Sequence, residues 1–259
     1  MAFSAEELER YQRHILLKEI GGPGQQRLKT AHVAMIGAGG LGAPAALYLV
    51  AAGIGKLTLI DPDSASLSNL QRQIIYRSDD VGQPKTARAT AALNALNPNV
   101  EIMPIAKHLD AGNAQSLLAG ADFILDGCDD FETRFAVNAA AHTLGVALIS
   151  GAVGRWDGQI ATFKSGLTKG RPEADRLPCY QCFVPEAPPD AEPCSVVGVV
   201  GALTGVIGSM MALEAIKEIT HAGESLAGRI LLYDGLAAQA RTIRLPPDPS
   251  CPVCGLARM

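Results

Sequence analysis

The run from Val33 to Asp61, V-A-M-I-G-A-G-G-L-G-A-P-A-A-L-Y-L-V-A-A-G-I-G-K-L-T-L-I-D, decides the fold. Its first apolar residues, Val33 to Ile36, read as a buried strand. Gly37, Gly39 and Gly42 follow at G-x-G-x-x-G spacing. Next come an Ala/Leu-rich helix, a Gly53/Gly55 break and a second apolar strand, Lys56 to Ile60, closing on Asp61. Gly37 permits a tight turn, Gly39 lets backbone approach a phosphate, and Gly42 lets the helix pack against the strand. The N–H groups and dipole at the helix start favour an anion. Asp61 lies 19 residues past Gly42, where a carboxylate can accept hydrogen bonds from a ribose. A plain Gly-rich turn is the bland alternative, but every element stands in the order a nucleotide site requires. The fingerprint alone says "nucleotide", with NAD the usual inference; the rest of the chain decides between NAD and ATP.

Working outward, strand and helix patterns alternate from 31 to 150, which predicts a Rossmann-like α/β fold with a mostly parallel sheet and right-handed crossovers. Strand candidates are Asn99 to Ile105, Ala121 to Asp126 and Val146 to Ser150; helix candidates are Thr86 to Leu96, Asn113 to Ala119 and Phe131 to Leu144. Before this half, residues 5–17 read as one amphipathic helix capped by Ser4, with Arg10 and Arg13 on one side. Gly21-Gly22-Pro23-Gly24 breaks it, and a short helical turn spans Gln25 to Lys29. After 150 the pattern changes. Gly151 to Phe163 reads as a hairpin with Trp156 at its corner, and 164–195 as a long Pro-rich loop. A small-residue helix follows, firm from about Thr204, where small residues favour close packing or a subunit interface. Gly228 to Tyr233 and Ala240 to Leu245 read as terminal antiparallel strands. The expected organisation is one domain over 1–259, with 31–150 as the nucleotide-binding half.

The chain has 259 residues, 48% of them apolar and 19% charged, enough to bury a sizeable core. A net charge of −4 argues against a nucleic-acid-binding surface as the main function. The polar, helical start is not a signal peptide, and no long uninterrupted apolar run predicts a membrane span, so cytoplasm is the default. Six cysteines in such a chain point to metal or catalytic chemistry rather than disulfides.

Four of them form two knuckles, Cys179-x-x-Cys182 and Cys251-x-x-Cys254. Together they supply a closed four-thiolate zinc site, structural because no position is left open, which ties the long loop to the C-terminus. A redox pair lacks its fold context. Cys128 reads as core. Cys194, in the loop, is a possible nucleophile without a basic neighbour in sequence, and the unreactive reading stands ahead. At the nucleotide, Asp61 serves a ribose, Arg72 and Lys85 serve phosphates, and Asp129, just past a strand end, serves a divalent ion. Two cations and a metal-binding acid suit Mg2+ with a nucleoside triphosphate better than NAD. One of Asp129 and Asp130 is expected to cap the following helix.

The motifs R-Y-Q-R-H-I (10–15), G-A-G-G-L-G (37–42), D-P-D (61–63), L-S-N-L-Q-R-Q (67–73), G-Q-P-K (82–85), D-G-C-D-D (126–130), G-R-W-D-G-Q (154–159) and the paired knuckles resemble the MoeB/ThiF family over nearly the whole chain. These are bacterial relatives of ubiquitin-activating enzymes. The resemblance implies ATP-dependent adenylation of the C-terminal glycine of a ubiquitin-like sulfur carrier, MoaD- or ThiS-like, with pyrophosphate released. By resemblance, Gly40 lies against the nucleotide and Asp61 holds the ribose. Ser68, Asn69, Arg72 and Lys85 grip the triphosphate, and Asp129 binds Mg2+ with Asp130 beside it. Arg13 reaches the neighbouring protomer's site, making the unit a homodimer. Asp130 departs from the Asn common in MoeB-like sequences, and the Cys194 neighbourhood matches neither branch. With no rhodanese segment after Cys254, a separate sulfurtransferase is expected. The rival readings are an NAD-dependent oxidoreductase and a non-catalytic carrier-binding protein.

Overall fold

A computed structural model describes residues 2–189 and 198–255. In chain order the helices are α1 (Ala5–Arg10), α2 (Gln12–Ile15), α3 (Gly21–Thr30), α4 (Gly42–Ala52), α5 (Lys85–Leu96), α6 (Ala114–Leu118), α7 (Phe131–Leu144), α8 (Tyr180–Phe183) and α9 (Gly201–Thr220). The strands are β1 (His32–Ile36), β2 (Lys56–Ile60), β3 (Glu101–Ile105), β4 (Phe123–Asp126), β5 (Ala147–Val153), β6 (Asp157–Phe163), β7 (Arg229–Asp234) and β8 (Gln239–Arg244). They form one eight-stranded sheet in the order β3-β2-β1-β4-β5-β6-β7-β8. The pairs from β3 to β5 are parallel and those from β5 to β8 antiparallel. From β1 the chain winds outward through β2 and β3; β4 then returns to β1's other side. That reversal opens a crevice beyond the carboxyl ends of β1 and β4.

Both faces of the parallel half are covered, which is why its strands read as continuous apolar runs. Val33 and Met35 point to a core made with α4 and α9, contributed by Leu49, Leu203, Ile207 and Met211 among others. Ala34 and Ile36 point to the opposite core, made with α6 and α7. The small residues of α9 serve close packing: a Cβ on Gly208 would lie 2.4 Å from the Leu41 carbonyl oxygen, at the start of α4.

Several boundaries differ from expectation. The N-terminal helix is two pieces divided at Tyr11, whose ring is 3% exposed and whose hydroxyl accepts a hydrogen bond from the Asn97 amide at 2.9 Å. Burying that aromatic outweighs continuing the helix. The Ser4 cap is present, as a full capping box with Glu7. Gly21-Gly22-Pro23-Gly24 ends one helical stretch and also opens α3, since Pro is tolerated in a first turn, where its missing N–H has no intrahelical partner. Helix α9 begins at Gly201, earlier than propensity indicates, because packing against α4 stabilises it. Strand β5 runs past Ser150 into the hairpin, whose turn holds the half-exposed Trp156. Among the described residues, no helix is long and apolar enough to cross a membrane.

Candidate active site

The crevice is a cavity of about 460 Å³. Its floor is the turn between β1 and α4. Gly37 has φ +87°, and a Cβ on Gly42 would stand 1.8 Å from the Gly37 carbonyl oxygen, so no side chain fits there. Gly39 and Gly40 line the cavity, with Thr204 of α9 packed against Gly40.

Around this floor the structure gathers Asp61, Arg72, Lys85 and Asp129. Asp61 follows β2 and is buried; its carboxylate accepts hydrogen bonds from the Ala38 amide at 2.7 Å and the Asp63 amide at 2.8 Å. Burial raises its pKa above the ordinary value, with the Lys85 charge opposing. Lys85 is the first residue of α5 and is itself buried, its Nζ 2.8 Å from Asp63 Oδ2. That pairing explains a cation at a helix N-terminus, where the dipole alone disfavours it. Arg72 sits on the Ser68 carbonyl at 3.1 Å. Asp129 is exposed at the cavity wall.

Other expected residues stand differently. Ser68 and Asn69 belong to the adjacent helical turn: Asn69 Oδ1 accepts from the Ser66 amide at 3.3 Å, and the Ser68 hydroxyl meets that of Ser66 at 3.1 Å. Neither is among the residues lining the cavity. Asp130 lines it but is the N-cap of α7, its Oδ1 accepting from the Thr133 amide at 2.7 Å. Arg13 lies on α2, exposed and apart from the cavity. Cys194 lies outside the described residues. Cys128 is half-buried at the cavity, with Sγ donating to Asp126 Oδ1 at 2.8 Å; burial and then the Asp126 charge push its thiol pKa well up. It is a poor nucleophile in this setting.

Sequence reasoning missed Arg134. This buried side chain on α7 donates to Asp126 Oδ2 at 3.1 Å, Ser150 Oγ at 3.0 Å, the Gly151 carbonyl at 2.8 Å and the Cys128 carbonyl. It binds the end of β4 to the middle of β5. The available signal was a lone cation inside the small, apolar helix F-E-T-R-F-A-V-N-A-A-A. Gln73 and Gln159 also line the cavity without having been singled out. A second cavity, of about 680 Å³, adjoins the first across β5 to β8; Ala152, Val153 and Gln159 line both.

The four knuckle cysteines converge, as their spacing predicts: all four sulfur atoms lie within 4.8 Å of one another. Cys179 and Cys251 sulfurs are 3.4 Å apart and those of Cys182 and Cys254 3.3 Å, too far for disulfides. A tetrahedral ion with bonds of ~2.3 Å fits among them. The Asn138 side-chain amide, 3.6 Å from Cys179 Sγ, and the Asp248 amide, 3.3 Å from Cys182 Sγ, supply outer hydrogen bonds. Hydrogen bonds from the Cys179 and Cys254 thiols favour the thiolate at Cys182 and lower its pKa.

Residues 11–253 match the ThiF family. Over 257 residues the chain is 44% identical to the sulfur carrier protein adenylyltransferase of Thermus thermophilus, covering 98% of this chain and 93% of that protein. It is 40% identical over 252 residues to the molybdopterin-synthase adenylyltransferase of Escherichia coli K12, covering 97% and 98%. Among solved structures, E. coli MccB with MccA-N7isoASN superposes with a TM-score of 0.81 at 23% identity, over 95% of this chain and 74% of that one, a likeness that bears on the fold alone.

Proposed function

The chain belongs to the ThiF family, and from that premise we propose that it adenylates the C-terminal glycine of a small ubiquitin-like sulfur-carrier protein, using ATP and releasing pyrophosphate. It is a nucleotidyltransferase, with MoeB-like molybdopterin sulfur transfer favoured over the ThiF-like thiamine route. The NAD reading finds no support in the names of its relatives.

The observation that carries this reading is the convergence of Asp61, Arg72, Lys85 and Asp129 on one glycine-floored cavity. The carrier carboxylate is already ionised at neutral pH, so it attacks the α-phosphorus without a general base. A carboxylate O–P bond forms while the bond to the pyrophosphate oxygen breaks. The problem is charge and position. Arg72 and Lys85 offset charge on the phosphates, the side-chain-free glycine turn lets backbone approach them, and Asp61 orients the ribose. Asp129 holds Mg2+, which when bound neutralises phosphate charge. Ser68 and Asn69 reach the triphosphate only if the turn that carries them shifts toward the cavity. Asp130, engaged as a cap, contributes its charge near the metal rather than a ligand.

The cysteine cluster holds structural zinc, and 151–259 forms the carrier-binding and zinc half. The second cavity offers the carrier's tail a track toward the α-phosphate. Further parts of the reading are a homodimer in which Arg13 serves the partner's site, a separate sulfurtransferase and a cytoplasmic location. The test is ATP–pyrophosphate exchange dependent on a Gly-Gly-ending carrier. Exchange with a MoaD-like carrier is expected; its absence across MoaD-like and ThiS-like carriers would refute adenylation.

A further inference from the structure

We propose that Tyr180 and Arg134 are positioning residues that tie the four-cysteine site to Asp129, so that occupancy of the cysteine site and binding of the Mg2+–nucleotide complex reinforce each other. The inference rests on the adenylation reading. Tyr180 lies inside the first knuckle, between Cys179 and Cys182, and its ring is buried. Its backbone N–H donates to Asn138 Oδ1 at 2.8 Å, and the amide nitrogen of that Asn138 approaches Cys179 Sγ. The knuckle and Tyr180 are therefore placed as one unit. The Tyr180 ring packs on Phe163 and Phe135, at centroid distances of 5.8 and 6.1 Å, and the Arg134 guanidinium carbon stands 5.8 Å from its centroid.

Arg134 completes the path. Its Nη2 bonds the Cys128 carbonyl, the peptide that leads into Asp129. The Asp129 side chain is exposed, so its aim depends on that backbone. Arg134 and Asn138 are four residues apart on α7 and lie on one face of the helix. One end of that face touches the peptide before Asp129 and the other touches the cysteine site. A shift of the knuckle moves Tyr180, releases the packed side of Arg134 and loosens the aim of Asp129. Coupling of this kind is reciprocal: a bound Mg2+ must hold the cysteine site as the cysteine site holds it.

The experiment uses the full zinc-loaded chain. Zinc release to 4-(2-pyridylazo)resorcinol is followed to equilibrium with saturating non-hydrolysable ATP analogue, with and without Mg2+, while calorimetry confirms binding on the same samples. The zinc retained at equilibrium with the dye is expected to correspond to an affinity about fivefold or more higher with Mg2+ than with the nucleotide alone. In Tyr180→Leu at saturating nucleotide the Mg2+ effect disappears, while Tyr180→Phe keeps it. Equal release with and without Mg2+ in the unaltered protein, despite calorimetric binding, overturns the proposal, as does an intact Mg2+ effect in Tyr180→Leu. The comparison in the unaltered protein needs no variant and decides even if Tyr180→Leu fails to fold. Absence of nucleotide binding would instead refute the reading of the cavity, and this proposal with it.

Discussion

Lys85 Nζ lies 2.8 Å from Asp63 Oδ2, a buried ammonium held by a carboxylate that is itself largely exposed. A bound triphosphate would compete with Asp63 for the same ammonium. Replacing Lys85 with Met is expected to reduce carrier-dependent exchange by about 10²–10³-fold, the scale for losing a preorganised donor at developing charge. Circular dichroism should show the fold retained. Near-normal exchange in Lys85→Met would remove the lysine from the chemistry.

Asp61 makes the reaction sensitive to acid. Burial raises its pKa above the ordinary value, outweighing Lys85 and the two amides. Its ribose-accepting form is the anion, so nucleotide affinity is full well above the raised pKa and falls as pH drops through it. The loss begins at a higher pH than an ordinary carboxylate at 3.8 would allow. Calorimetry of nucleotide binding from pH 7 downward, repeated on Asp61→Asn, checks this: the variant should bind weakly and lack the same acid limb.

Changing Cys251 to Ser should cost the zinc as well as stability. Elemental analysis is expected to fall from one ion per chain in the unaltered protein toward none, because all four sulfurs form one cluster. Melting should drop by ~2–4 °C for each kcal/mol lost in a chain of this size. Acid should release the ion as well, since each thiolate must then take up a proton. A full zinc complement in the variant would contradict the four-thiolate site.

The placement of Arg13 away from the cavity of its own chain yields a mixing experiment. Arg13→Ala and Lys85→Met should each be inactive alone. Refolded together in equal amounts they should recover about one quarter of wild-type exchange, because half the dimers are mixed and each mixed dimer has one complete site. No recovery would show that Arg13 does not act across subunits.

Local features were readable in the sequence wherever period, punctuation and spacing carry information. Strand β2 and helix α7 match the expected bounds, and the cysteine spacing predicts the cluster. What escaped depends on contacts between distant residues. Tyr11 divides its helix because Asn97, 86 residues away, donates a hydrogen bond to its hydroxyl. Arg134 is a plain helical arginine until β4 and β5 bring Asp126 and Ser150 beside it. Ser68 and Asn69, assigned to the triphosphate by resemblance, here bond locally to Ser66.

Strand β5 carries a consequence for how such a chain can be divided. Ala147 to Ser150 pair with β4, and the same unbroken strand continues through Val153 in its pairing with β6. The change of sequence pattern after Ser150 therefore falls in the middle of a ladder, with no seam beneath it. Fragments cut there would each inherit half a strand and an exposed sheet edge. Recombination that exchanged the part after Ser150 would have to rebuild the wall of the glycine-floored cavity in the same step. Modularity in this architecture lies in what is attached to the sheet, not in the sheet.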